Sequence, residues 1–379
     1  MNRRSRVLAM LAATALTGLV AGCTAATPAA PVISSQAIAQ GGPAGSLPGS
    51  PGPARMTLGE TGSTLLLPLL SAWAQAYHHQ FSQVTITTAG TGSGAGISGA
   101  SAGTASIGAS DAYLSSGDLV ANPSLLNIPL AISAQQVNYN LPGLAAGAHV
   151  RLDGAVLAQM YEGRITRWDD PAIRALNQGL RLPSIRVVPL HRQESSGDTF
   201  LFSSYLATGD PAWNSTIGYG TTVAWPHVAL ARAEEGNSGM VSGCQATPGC
   251  VAYIGISYLS QALAGGLGEA ALANASGHFE LPTATAMRAA AASFVPVLPP
   301  GETISMVNGP AADGYPIVNY EYAIVSARQP TTARARDLQA FLHWAITTGN
   351  QPSFLGQVRF QPLPAATAAL AGAQIARIR

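Results

Sequence analysis

Glu60-Thr61-Gly62-Ser63-Thr64-Leu65-Leu66-Leu67-Pro68-Leu69-Leu70-Ser71-Ala72-Trp73 puts a glycine and two hydroxyl residues directly ahead of an apolar helix. A helix start leaves backbone N–H groups without partners, and small hydroxyl side chains add donors beside them; together they suit an anion. Two more turns repeat the composition. One is Gly90-Thr91-Gly92-Ser93-Gly94-Ala95-Gly96, and the other is His191-Arg192-Gln193-Glu194-Ser195-Ser196-Gly197-Asp198. Three such turns on one chain predict a buried oxyanion gripped from several sides.

Outward from these turns, strand-like and helix-like segments alternate from Thr57 onward. Val84 to Thr87, Ile107 to Ala109, Asn127 to Leu130, Gln136 to Tyr139, Val187 to Leu190, Val251 to Ile254 and Ile317 to Val325 read as strands. Leu152 to Met160 is amphipathic, with Asp153 placed to cap it, and Thr331 or Thr332 caps a helix that Gly349 stops. The alternation argues an α/β architecture with largely parallel pairing. In such sheets ligands bind beyond the carboxyl ends of the strands, so the three turns converge on one crevice, between two domains.

Length and composition allow this. The 379 residues are 47% apolar, enough for two cores, and only 10% are charged. All 19 basic residues are arginine. The lack of lysine excludes a Walker-type phosphate loop and Schiff-base chemistry. No basic run marks a nucleic-acid partner.

The N-terminus reads as an export signal. Arg3, Arg4 and Arg6 precede an apolar segment, Val7 to Val20, and then Leu19-Val20-Ala21-Gly22-Cys23, which resembles a bacterial lipobox. Residues 1–22 are thus expected to be a lipoprotein signal peptide, and Cys23 the lipidated (palmitate-bearing) first residue. Residues 23–56, rich in Ala, Pro, Gly and Ser, read as a flexible tether to the membrane. Without Arg3, Arg4 and Arg6 the chain carries 16 basic against 18 acidic side chains, so an anion site relies on local dipoles. In an exported protein Cys244 and Cys250, in Gly243-Cys244-Gln245-Ala246-Thr247-Pro248-Gly249-Cys250, read as a short-loop disulfide; a metal pair is the rival, with no histidine near. No metal or other cofactor is expected: His78 and His79 are adjacent and point apart, and the other histidines are scattered.

The candidate ligand groups are Ser63, Thr64, the N–H of Leu65, Ser93, Arg192, Ser196 and Gly197. Arg192 supplies a planar fork for an oxyanion. Glu194 is placed to pair with it, and Asp198 suits the start of a helix. Asp111, after an apolar strand end with no basic residue nearby in sequence, is an acceptor for a proton carried by the ligand. Phosphate carries protons near neutral pH and sulfate does not, so an acceptor-only group welcomes one and repels the other. An enzyme is the weaker reading. Ser93 lacks the G-x-S-x-G elbow, His191 is the sole candidate base, and no metal cluster is present.

These segments together resemble the substrate-binding lipoproteins of high-affinity phosphate ABC transporters, in particular the actinobacterial branch. The carrying motifs are ETGSTLL, GTGSGAGI, IGASDAYL, ISAQQVNYNLPG, MYEGRITRWDDP, PLHRQESSGDTFLFSSYL, GCVAYIGISYL and PIVNYEYAIV. The resemblance implies a type II periplasmic-binding-protein fold of two α/β lobes joined by two crossovers, with the ligand in the cleft between them. Lobe I would be 57–130 and 315–379, and lobe II 131–314. It implies a non-enzymatic receptor for inorganic phosphate on the extracytoplasmic face of the cell membrane, with membrane permease subunits as partners. It places the phosphate contacts on Ser63, Thr64, Leu65, Ser93, Asp111, Arg192, Ser196 and Gly197, with Asp198 as a second acceptor. Glu194 stands where relatives carry Asp, and Ser195 where glycine is usual. A receptor for another oxyanion, a secreted phosphohydrolase, and an adhesin or signalling lipoprotein remain the alternatives.

Overall fold

The computed structural model describes residues 50–145 and 147–379. The leader, Cys23 and the tether as far as residue 49 lie outside the described residues. From Gly52 the chain is docked: its N–H donates to Asp337 Oδ1 (2.7 Å) and its carbonyl accepts from Gln83 Nε2 (3.1 Å).

Nine strands form one sheet. They are β1 (Met56–Gly62), β2 (Val84–Thr87), β3 (Ile107–Ser110), β4 (Leu125–Tyr139), β5 (Val188–Arg192), β6 (Arg232–Glu234), β7 (Cys250–Gly255), β8 (Gly268–Glu269) and β9 (Val318–Ser326). Their spatial order is β2-β1-β3-β9-β4-β7-β5-β6, with β8 also on β4. Both outer parts are parallel: β1 with β2 and β3, and β5 with β6 and β7. The middle is not. β9 runs antiparallel to β3 and β4, and β4 antiparallel to β7 and β8. Largely parallel pairing is therefore corrected to a mixed sheet, because the long strands that link its two halves run against their neighbours.

The link is β4. Its first part, Leu125 to Ala134, pairs with β9, and its last, Gln135 to Tyr139, pairs with β7. The two short strands expected over 127–130 and 136–139 are thus one strand of 15 residues, buried throughout. The apolar pattern breaks at Ser133 and Gln135, which are buried because they have polar partners rather than water. Pro129 is tolerated in this central strand because the β4–β9 register shifts there, between Glu321 and Tyr322, and a bulge needs no N–H.

Six helices matter for the site: α1 (Leu67–Gln80), α2 (Ser93–Ala102), α3 (Gly154–Tyr161), α4 (Gly197–Gly209), α5 (Gly236–Gln245) and α6 (Thr332–Ile346). Each start has a local cause. The Ser63 hydroxyl accepts from Leu66 N (3.0 Å), so a turn precedes α1, which begins three residues later than Thr64. Gly92 adopts φ +91 ahead of α2, a conformation L side chains rarely adopt. The small residues of α2 let it lie on β1 and β3: a Cβ on Gly96 would sit 2.5 Å from Ala109 O. Asp153 caps α3 at Val156 N, Ser196 caps α4 at Asp198 N, and Thr331 caps α6 at Arg334 N. The core runs under both halves of the sheet, with Trp73 and Trp168 buried and donating to Gly349 O (3.0 Å) and Gly249 O (2.8 Å).

Candidate anion site

The three expected turns follow the carboxyl ends of β1, β2 and β5 and meet beside the end of β3, and a fourth helix start joins them. Ser63 to Leu66 leads α1, Ser93 opens α2, Ser196-Gly197 opens α4 and Gly236-Asn237 opens α5. The contacts cross between the halves. Gly94 N donates to Ser195 O (3.1 Å), and a Cβ on Gly197 would lie 2.6 Å from both Asp111 Oδ2 and Ser93 Oγ. Ser63, Thr64, Leu65, Ser93, Asp111, Arg192, Ser196 and Asp198 are all buried.

Arg192, at the end of β5, is the single cation of this cluster, and its side chain is wholly buried. Its Nε donates to Glu194 Oε1 (2.7 Å), and its Nη1 is paired with Asp198 Oδ2. Its Nη2 donates to Thr64 Oγ1 (3.1 Å) and also to Glu194. The guanidinium is thus fixed from both sides, and through Thr64 it ties one half of the sheet to the other. Burial alone would lower its pKa; the Asp198 and Glu194 carboxylates outweigh this and raise it, so it stays charged. The backbone N–H of Arg192 donates to Tyr253 Oη (2.8 Å), which also bonds Thr199 Oγ1.

Asp111 sits beyond β3. Ser63 Oγ donates to its Oδ1 and Ser93 Oγ to its Oδ2 (3.3 Å). Burial raises its pKa; the neighbouring Glu321 carboxyl, the two serines and the Arg192 charge oppose the rise. A basic group therefore does act on Asp111, from 81 residues along the chain, where local sequence showed none. Asp198 is pushed up to about 7, first by burial and then by the charge of Asp111, against the pull of Arg192. Gln135 Nε2 (3.0 Å) and Asn237 Nδ2 (2.8 Å) donate to it. Asp198 is therefore more than a helix-start charge: it is a buried partner of Arg192. Two buried carboxyls, both with raised pKa values, thus flank the one guanidinium of the cluster.

All nine residues expected to hold the anion, and Glu194 beside them, come together here. His191 does not join them: its ring stacks on Trp225 and its Nδ1 faces Arg192 O. Cys244 and Cys250 are disulfide-bonded at the far end of α5, away from the site. Among the described residues no group of three or more His, Cys, Asp or Glu side chains could hold a metal ion. Sequence reading missed Asn237, Gln135 and Glu321. Asn237 donates to both Thr64 Oγ1 (2.9 Å) and Asp198, while Gly255 N donates to its Oδ1 (2.6 Å). The Gly236-Asn237-Ser238-Gly239 run resembles the other three turns and was the signal available for it. Gln135 and Glu321 carried no such signal.

A buried, proton-poised anion site between two halves of a mixed α/β sheet defines a solute-binding protein. A family model described as a PBP superfamily domain matches residues 48–348. The phosphate-binding protein PstS of Methanocaldococcus jannaschii is 31% identical over 326 residues, covering 80% of this chain and 82% of that protein. The phosphate-binding protein PstS 3 of Mycobacterium leprae is 28% identical over 318 residues, covering 81% and 83%. Among solved structures, a human phosphate binding apolipoprotein superposes with a TM-score of 0.63 at 20% identity, over 82% of this chain and 92% of that one. A phosphate binding protein from Stenotrophomonas maltophilia gives 0.62 at 20%, over 84% and 93%. The chain belongs to the PBP superfamily and, within it, to the family of PstS phosphate-binding proteins.

Proposed function

We propose that this protein captures inorganic phosphate between two lobes and delivers it to the permease subunits of an ABC transporter. Lobe I comprises 57–130 and 315–379, and lobe II 131–314. Phosphate is held by Ser63, Thr64, the N–H of Leu65, Ser93, Arg192, Ser196 and the N–H of Gly197, with Asp111 and Asp198 accepting its protons and Glu194 steering Arg192. Capture closes the lobes and release opens them, so the ligand selects the closed form. The protein does no chemistry on phosphate and uses no cofactor. It is anchored by a lipid at Cys23, on the extracytoplasmic face of the cell membrane, with residues 23–56 as tether.

One observation carries this reading: the Asp111 carboxyl is buried where helix starts from both halves meet, within 2.6 Å of where a Cβ on Gly197 would lie. A carboxylate in an anion site is tolerable only for an anion that brings a proton. The test is Asp111→Asn, titrated with phosphate and with sulfate. Weaker phosphate binding and a gain in sulfate binding are expected. Unchanged selectivity would remove Asp111 from the mechanism.

A further inference from the structure

Glu321, on β9, is fully buried, and β9 pairs with β3 there. Its Oε1 accepts from Ser133 Oγ (2.5 Å) and Asn319 Nδ2 (3.1 Å). Its Oε2 is buried without a hydrogen-bond partner, and the pairing of Tyr322 with Ser110 across β9 and β3 sets Glu321 alongside Asp111. Asn319 clamps the pair, since the same Nδ2 reaches Asp111 O (3.0 Å). Two carboxylates cannot share a hydrogen bond unless one holds a proton. Burial, and then the Asp111 charge, holds the Glu321 carboxyl well above the usual carboxylate range. Other charged groups reach it through Asp111: Asp198 from α4 and Arg192 from β5. Tyr322 neighbours it on β9, itself held neutral by burial.

We propose that Glu321 keeps a proton and donates it to Asp111, acting as the positioning residue that holds Asp111 ionised and acceptor-only. This rests on the reading of Asp111 as the acceptor of a ligand proton. The bulge at Glu321 and Tyr322 aims the carboxyl. Three donors, Ser63, Ser93 and Glu321, then offset the burial of Asp111. Without Glu321, burial would drive Asp111 to take up its own proton, and a protonated Asp111 could donate to sulfate. Glu321 thereby determines selectivity without touching the ligand.

The experiment compares wild type, Glu321→Leu and Glu321→Gln by calorimetric titration with inorganic phosphate and with sulfate. It adds infrared difference spectra of the protonated-carboxyl stretch. Glu321→Leu should lower the preference for phosphate over sulfate by about tenfold or more, the loss of one hydrogen bond to a charged group. Glu321→Gln, whose amide still donates, should restore most of that preference while deleting one protonated-carboxyl band. A Leu variant with wild-type preference, a Gln variant no better than Leu, or no lost band would each overturn the proposal. Should the Leu variant fail to fold, the infrared comparison of wild type with the Gln variant decides. If wild type itself does not discriminate, the underlying reading of Asp111 falls, and the infrared band still reports whether Glu321 holds a proton.

Discussion

Gly197 at the start of α4 lies so close to the Asp111 carboxyl beyond β3 that a Cβ on it would sit 2.6 Å from Asp111 Oδ2. Real Cβ atoms essentially never come that near, so closure and the glycine are one requirement. Gly197→Ala is expected to leave the fold intact, since alanine suits the first turn of α4, and to weaken phosphate binding by about a hundredfold, as overpacking costs typically do. Calorimetry with a parallel thermal melt separates the two effects.

A second contact can be repaired from the other side. A Cβ on Gly94 would lie 2.1 Å from Ser195 Oγ. Gly94→Ala should stabilise α2 by about 0.5–1 kcal/mol and still weaken ligand binding. Ser195→Gly, which removes the side chain that such a Cβ would meet, should recover the affinity when combined with it. A double-mutant cycle in phosphate affinity measures this; strict additivity would show that positions 94 and 195 do not meet on binding.

Burial, and then the Asp111 charge, push the Asp198 carboxyl up to about 7 beside Arg192. An incoming anion raises that value further, so binding should take up protons, most strongly as pH rises above 7. Titrations in buffers of different ionisation enthalpy should show up to about one proton per site. Asp198→Asn should reduce the uptake.

Away from the site, Glu302 is buried with both carboxyl oxygens unpartnered, and burial pushes its pKa up to about 8. The folded value lies above the unfolded one, so its contribution to stability is fully present below pH 4.5 and is lost as pH rises through 8. Glu302→Gln should therefore melt with wild type at about pH 4 and be more stable by about 4 kcal/mol at about pH 8. Equal melting at both would remove the linkage.

The site was legible because its parts are local. Each of the three turns is a short run of glycine and hydroxyl residues, and Asp153 and Thr331 mark helix starts by the same logic. What stayed hidden is held at long range. Ser133 meets Glu321 across 188 residues, and Gln135 meets Asp198 across 63. No local periodicity encodes such pairs. The same holds for β4 and β9, whose antiparallel pairing joins distant parts of the chain and made the parallel expectation wrong. Glu321 lies among Tyr320, Tyr322 and Asn319 on β9, and its partner Ser133 lies on another strand, so the local run gives no sign of its role.

The most direct test titrates the domain from residue 50, stripped of bound ligand, with phosphate and then sulfate at several pH values between about 5 and 8, across the second ionisation of a phosphate group. Tight phosphate binding with proton uptake and no sulfate signal is the predicted result. Equal binding of both anions, or of neither, would contradict the account.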